Sequence, residues 1–283
     1  MTQASCKGAC VGVVKLYIRD GAVIDKTAEL FTQEELAAQY APDPSVQTLV
    51  DAAWERLAGD MGEAYTETAY YLNGLRASES PDGRSIRTDE TNLGDLVADF
   101  MRWYAQADVA FAPGFTIRSS IDTGSIYVLN LYDVFAIGCD LYVYEVDGEE
   151  LLEMMAASLS TLPYESTAFA QISGASYGYL KEFVLDEEED KVFTIINPMV
   201  DGEPLDLEKT YLIACSIYDY GEDDMEPILS SMENAALAMG DYLTSGEAIL
   251  LPDVPIPDHR IVPMDELPAG AVVYQVEVET EGD

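Results

Sequence analysis

Arg118 stands in the loop Pro113-Gly114-Phe115-Thr116-Ile117-Arg118, between two apolar runs, in a chain with 14 basic residues against 53 acidic ones. A guanidinium placed there is suited to a bidentate grip on a carboxylate or phosphate, because its planar fork of donors matches two oxygens. Flat ligands could be held by aromatic faces, which 18 tyrosines and 8 phenylalanines supply in number. Other chemistry is poorly provided for. His259 is the single histidine, so a multi-histidine metal centre is excluded and a histidine-based triad would rest on one residue of a Pro-rich tail. Cys6 and Cys10 form a CxxxC with no further ligands nearby, whereas zinc takes about four. Acid pairs such as Asp223 with Asp224 have the chemistry of a general acid and base, but arise by chance among 53 acids. No G-x-S-x-G, Walker loop, H-E-x-x-H or G-x-G-x-x-G occurs. The acidic run Asp186 to Asp190 lacks the glycine and alternating ligands of a calcium loop and reads as a solvated turn.

The bulk composition narrows the field further. A formal charge of -39 sets up a field that repels nucleic-acid phosphates and anionic membrane surfaces, so nucleic acid is not an expected partner. Any anionic ligand needs a local pocket of cations, which raises the diagnostic weight of each arginine. With 283 residues and 48% hydrophobic content the chain can bury a sizeable core. No run of about 18 apolar residues is present, so no membrane span is expected. The opening MTQASCKGAC has one lysine and no apolar stretch of the secretory type, and the natural start is expected to lie upstream. Four cysteines, Cys6, Cys10, Cys139 and Cys215, are few for the length and follow no disulfide-framework spacing.

The elements that must position Arg118 follow from periodicity. Val11 to Ile18, then Arg19-Asp20-Gly21 and Ala22-Val23-Ile24, predict a hairpin turned at Asp-Gly. From Phe31 the pattern becomes helical, interrupted by Pro42 and Pro44. Ser45 is placed to cap a helix whose stripe is Val46, Leu49, Val50, Ala53, Leu57 and Met61. Ser78 to Asp89 is a polar loop with a Pro-Asp-Gly turn and forms the best internal boundary. Asn92 is placed to cap a second helix with Leu93, Leu96, Val97, Phe100, Met101 and Tyr104 on its buried face. A strand at Val109 to Phe111 leads into the Arg118 loop, a Gly turn and a second pair of strands. Asp147 and Glu150 have capping-box spacing for a helix bearing Leu151, Leu152, Met154 and Met155, the methionines as core filler. Phe169 to Ser173 and Ser176 to Leu180 read as a strand pair, Lys191 to Ile196 and Tyr211 to Tyr218 as further strands, and Ala235 to Leu243 as a short helix. The tail from Pro252 to Pro268 reads as extended. Strands and helices are interspersed without a strict βαβ repeat, which predicts an α+β fold of mixed β-sheets flanked by helices.

Five segments in order, TNLGDLVADFM (Thr91 to Met101), ADVAFAPGFTIRSSIDTGSI (Ala107 to Ile126), YDVFAIGCDLYVYEVDGEEL (Tyr132 to Leu151), FAQISGASYGY (Phe169 to Tyr179) and VDGEPLDLEKTYLIAC (Val200 to Cys215), resemble the C-terminal domain of bacterial 5'-nucleotidases and UDP-sugar hydrolases. The resemblance implies a two-domain enzyme. Its N-terminal half would be a metallophosphoesterase holding a divalent metal pair with His, Asp and Asn, and its C-terminal half would bind the nucleoside part of the substrate. On that reading residues 1–30 are the last strands of the metallophosphoesterase domain, 31–90 an interdomain helix and linker, and 91–283 the substrate-binding domain. The chain would need no cofactor of its own, one histidine being too few for a two-metal site. Its partners would be a nucleotide or nucleoside-like molecule and its own metallophosphoesterase domain, in a periplasmic, extracellular or cell-surface location.

The resemblance also assigns a substrate site, residue by residue. The arginine of an NGGGIR-like loop corresponds to Arg118, but Phe115 and Thr116 replace glycines. A PFGN-like segment corresponds to Ala136-Ile137-Gly138-Cys139. Of two aromatics that sandwich the base, one is matched to Phe169, with Gly174 in the same segment. The other lies after a GGDG-like loop and corresponds to Met225 in Gly221-Glu222-Asp223-Asp224-Met225. The substrate-binding set is thus Arg118, Phe169, Phe115, Gly174, Asp223 and Met225. The alternative is a noncatalytic binding or structural module that has lost nucleotide recognition.

Overall fold

The computed structural model describes residues 10–60, 64–79, 84–182, 184–185, 191–216, 229–230, 232, 234–252 and 258–278. The expectations for Asp186 to Asp190, Asp223 and Met225 lie outside the described residues. The chain divides into two compact units, residues 1–60 and 61–283.

In the first unit β1 (Cys10–Arg19) and β2 (Ala22–Thr32) form an antiparallel hairpin that closes at the pair Arg19 and Ala22. Asp20 and Gly21 both adopt positive φ, 53° and 79°, the two-residue turn whose twist matches the strands. Then come α1 (Gln33–Gln39), capped by Thr32 and Glu35, and α2 (Pro44–Asp60). The cap of α2 is Asp43 rather than Ser45: its carboxylate accepts from the Ser45 N–H at 2.8 Å and from the Ser45 hydroxyl, and Pro44 takes the first helical position, where no donor is needed. Val46, Leu49 and Val50 of the α2 stripe are exposed within this unit.

In the second unit the chain order is β3 (Thr66–Thr68), α3 (Asn92–Ala105), β4 (Val109–Pro113), β5 (Gly124–Ile126), α4 (Val128–Val134), β6 (Tyr142–Val146), α5 (Gly148–Ala157), β7 (Ala170–Ser173), β8 (Ala175–Leu180), β9 (Val184–Leu185), β10 (Lys191–Val200), β11 (Glu203–Pro204), β12 (Tyr211–Cys215), β13 (Leu229–Ser230), α6 (Ala235–Thr244), β14 (Ile261–Met264) and β15 (Val273–Val278). Five strands make one sheet in the order β13-β6-β12-β4-β7, with β4 and β12 parallel. A second sheet runs β11-β10-β8-β14, with β9 and β15 also on β10. The fold is α+β, with mixed sheets and helices against them.

The five-stranded sheet is buried on both faces, and the residue sizes say what lies on each. On β4, Ala110 and Ala112 join the core with α3, α4 and α6, while Val109 and Phe111 join the core with α5 and the second sheet. Small residues let the α3 backbone come close; large ones fill the wider gap on the other side. The α3 face is as expected for Leu93, Leu96, Val97, Phe100 and Met101, all buried, while Tyr104 is exposed.

Several local expectations change. The α3 cap is Thr91, whose hydroxyl accepts from the Gly94 N–H at 3.1 Å. Asn92 instead serves as a buried bracket, accepting from the Asn73 N–H and donating to the carbonyls of Tyr71 and Leu251. Between the Gly turn and β6 the chain forms α4, not a strand, because Leu131, Val134 and Phe135 recur at helical spacing and all three are buried. The β7 and β8 strands follow one another but belong to different sheets. Residues 84–90, read as part of a polar linker, lie in the second unit, and Ile86 is fully buried.

Candidate anion-binding site

Because β4 and β12 are parallel neighbours, the loops that follow Pro113 and Cys215 leave the sheet at the same end, the carboxyl end where open α/β arrangements place ligands. The Thr116 and Ser216 hydroxyls share a buried hydrogen bond of 2.8 Å, which ties the starts of these loops together. Ile117 is buried and fixes the backbone, and the Arg118 N–H donates to the Val134 carbonyl at 2.9 Å. The Arg118 side chain is therefore exposed from an anchored backbone.

Arg118 is not alone. Burial comes first in disfavouring the Arg87 charge, the charges of Arg76 and Arg118 add to it, and Glu165 works the other way. The Arg87 residue is 9% exposed and its Nε finds no hydrogen-bond acceptor. Three of the chain's 14 cations are thus gathered with one acid. A buried guanidinium in that setting is short of negative charge, since a buried charge costs several kcal/mol unless paired.

The segment that carries Arg87 is held by side chains from elsewhere. Gln171, fully buried in β7, donates to the carbonyls of Ile86 and Asp89 at 3.0 and 2.9 Å and accepts from the Thr91 N–H at 2.9 Å. A Cβ on Gly94 would collide with the Gln171 side chain, so the bare helix turn makes room for this bolt. Glu165 accepts from the Ala77 N–H at 2.7 Å, from Arg76 at 3.1 Å and from the Ser85 hydroxyl. The Ser85 hydrogen bond leads the causes that hold the Glu165 carboxyl below its usual range. Gly114 closes the site from below: a Cβ there would stand 2.8 Å from the Ile86 carbonyl and 3.0 Å from Arg87 Cγ.

The other expected residues distribute as follows. Phe115, next to Gly114, is half-buried. The Phe169 carbonyl accepts from the Gly114 N–H at 2.8 Å, but its ring is 0% exposed and belongs to the core beside Phe111 and Met155. In this arrangement Phe169 offers the site its backbone carbonyl and leaves no ring face open for a base to stack on. Gly174 lies at the opposite end of β7, beside Arg102 and the Asp108 carbonyl, and not with Arg118. Ile137, in the PFGN-like segment, is 59% exposed. Near it a cavity of about 310 Å³ is lined by Tyr132, Phe135, Cys139, Met232 and Asn234. Burial first, with Cys215 and Asp140 nearby, pushes the Cys139 thiol up to about 12, which leaves it protonated and unreactive.

A larger groove of about 420 Å³ opens at the Gly174 end, lined in part by Asp99, Arg102, Trp103 and Arg260. Its arginines are already matched, Arg102 by Asp201 and Arg260 by Asp99 and Asp258. It is therefore a poorer anion site than the Arg87 and Arg118 cluster.

Comparison with known proteins decides the family. The family model for the 5'-nucleotidase C-terminal domain matches residues 68–230, more than half of the chain. The chain belongs to the 5'-nucleotidase C-terminal domain family. Among relatives of this family, the Trifunctional nucleotide phosphoesterase protein YfkN of Bacillus subtilis is 31% identical over 152 residues, 52% of this chain and 9% of its own length. A 5'-nucleotidase of Vibrio parahaemolyticus is 27% identical over 193 residues, 67% of this chain and 31% of its own length. A 5'-nucleotidase precursor from Thermus thermophilus shares the fold, with a TM-score of 0.60 at 23% identity over 92% of this chain and 50% of that structure. The chain spans half or less of the length of these relatives.

Arg76 and Arg87 are site residues that the sequence reading missed. The available signal is Arg84-x-x-Arg87 in a chain poor in cations, inside the Ser78 to Asp89 stretch whose serines and Pro-Asp-Gly turn read as a boundary.

Proposed function

We propose that this 5'-nucleotidase C-terminal domain is the substrate-recognition part of a phosphohydrolase. It would hold the nucleotide or nucleoside portion of a substrate whose ester is hydrolysed by a metallophosphoesterase domain. The observation that carries the reading is that buried, acceptor-poor Arg87 lies beside Gly114, in the loop after β4 that leads to exposed Arg118. Two guanidinia at one end of a sheet would hold a phosphate or carboxylate through charge-assisted hydrogen bonds, and the cavity beside Tyr132, Phe135 and Met232 would offer apolar surface to the remainder of the ligand. The divalent metal pair belongs, in this reading, to the metallophosphoesterase domain, and this chain supplies positioning rather than bond cleavage. Phe115, Asp223 and Met225 are carried in the proposal as substrate-binding residues, and a location outside the cytoplasm goes with it. Among the described residues no helix is long and apolar enough to cross a membrane.

A second reading, a binding or structural module without nucleotide recognition, is favoured by one observation: the ring expected to clamp a base is in the core. Calorimetric titration of the chain with AMP, a UDP-sugar, adenosine and inorganic phosphate separates the two. Binding of AMP tighter than of adenosine supports recognition; absence of binding to all four supports the module.

A further inference from the structure

Away from the anion site, the first turn of α3 holds a second concentration of charge. Asp95 is 2% exposed and neither carboxyl oxygen has a hydrogen-bond partner. Arg260 approaches it at 3.8 Å, but spends its guanidinium on Asp99 at 2.7 and 3.0 Å, on Asp258 at 2.9 Å and on the Ile172 carbonyl at 2.9 Å. Glu90, 3% exposed, accepts from the N–H groups of Asp258, Arg260 and Ile261 at 2.9, 2.8 and 2.7 Å. Glu90, Asp95, Asp99 and Asp258 thus surround one cation. Further titratable groups about this centre are Arg102 on α3 with its partner Asp201, Tyr242 on α6 with Glu247 nearby, Tyr177 on β8, Asp89 beside Glu90, and exposed His259 beside Arg260.

Four carboxylates with one guanidinium would leave net negative charge in the interior, and a buried carboxylate that no donor reaches is the group that yields by taking a proton. Burial, opposed by Arg260 and reinforced by Glu90, Asp99 and Asp258, pushes the Asp95 carboxyl up to about 9. The same acids anchor the return of the chain into β14, through Glu90 on its backbone and Asp99 on Arg260.

The geometry points to Asp95 as a proton-held latch: the neutral acid lets Arg260 pack on α3 through Asp99 and so holds Asp258–Ile261 in place, and loss of its proton loosens that segment. The sign follows from linkage. The folded chain keeps a proton that the unfolded chain releases near pH 4, so the stabilisation is complete below that value and is lost as pH rises toward 9. Alkali then opens the 258–261 segment.

Two measurements on the whole chain test this. In a carboxyl carbon NMR titration with labelled aspartate, one resonance is expected to titrate in the alkaline range and to be absent from Asp95→Asn. In hydrogen exchange corrected for intrinsic base catalysis, opening of the Arg260 and Ile261 amides, which Glu90 accepts, is expected to rise roughly 50- to 100-fold between pH 7 and 9.5, and to stay flat in Asp95→Asn, which keeps the shape without the charge. Aspartates that all titrate below pH 6, or equal pH dependence of exchange in both proteins, overturn the latch. If Asp95→Asn does not fold, the wild-type titration alone decides.

Discussion

Thr116 and Ser216 stand 100 residues apart in the chain and share a buried hydrogen bond of 2.8 Å between their hydroxyls. That contact joins the loops after β4 and β12, and so couples the backbone that presents Arg118 to the neighbouring strand. Thr116→Val keeps the volume and leaves the Ser216 hydroxyl buried without this partner, which costs about 1–3 kcal/mol. Chemical denaturation should show that loss, and the affinity for phosphate-bearing ligands should weaken with it. Unchanged stability would mean the pair is not a structural tie.

Gly114→Ala should be more damaging than its size suggests. The added Cβ meets the Ile86 carbonyl at 2.8 Å and the Phe169 carbonyl at 3.3 Å, and backbone atoms cannot swing aside. Overpacking of this kind costs about 1–3 kcal/mol, here with displacement of Arg87. The thermal midpoint and the phosphate affinity should fall together.

Glu165 gives a pH signature of opposite sign to that of Asp95. Its carboxyl is held low mainly by the Ser85 hydroxyl, with Ala77 and Arg76 adding. A depressed folded value means that the stabilisation is present above the ordinary glutamate value near 4.5 and is lost as pH falls through the folded one. Glu165→Gln should lower the thermal midpoint at pH 7, with the gap to wild type closing toward pH 3. A gap that persists in acid would assign the effect to packing instead.

Much of this architecture could be read from residues in order. The Asp20-Gly21 turn, the Asp147 and Glu150 capping box and the apolar face of α3 are local signals, and each appears in the structure. What escaped was set by tertiary contacts. Asn92 could have been a cap, but Asn73, Tyr71 and Leu251 claim its side chain, so Thr91 takes the cap. Residues 84–90 looked like a linker because Gln171, which pins them, is 80 or more residues away. Phe169 has the composition of a clamp and of a core residue alike, and only its packing distinguishes them.

The packing of Phe169 yields its own test. Phe169→Ala should cost about 3–5 kcal/mol as a cavity in the core. Ile137→Phe, at a position 59% exposed, should leave stability nearly unchanged and strengthen AMP relative to inorganic phosphate by offering a ring to the base. Equal effects of Ile137→Phe on both ligands would remove the base from this edge of the site.

The measurement that bears most directly on the anion site is calorimetric titration of AMP and of adenosine into wild type and Arg118→Ala. Arg118 is exposed, so the variant should fold as wild type does. Loss of a charge-assisted contact of about 1.5–3 kcal/mol predicts AMP affinity lower by roughly 10- to 100-fold, with adenosine unaffected. Equal AMP affinity in the two proteins would contradict a phosphate grip by Arg118.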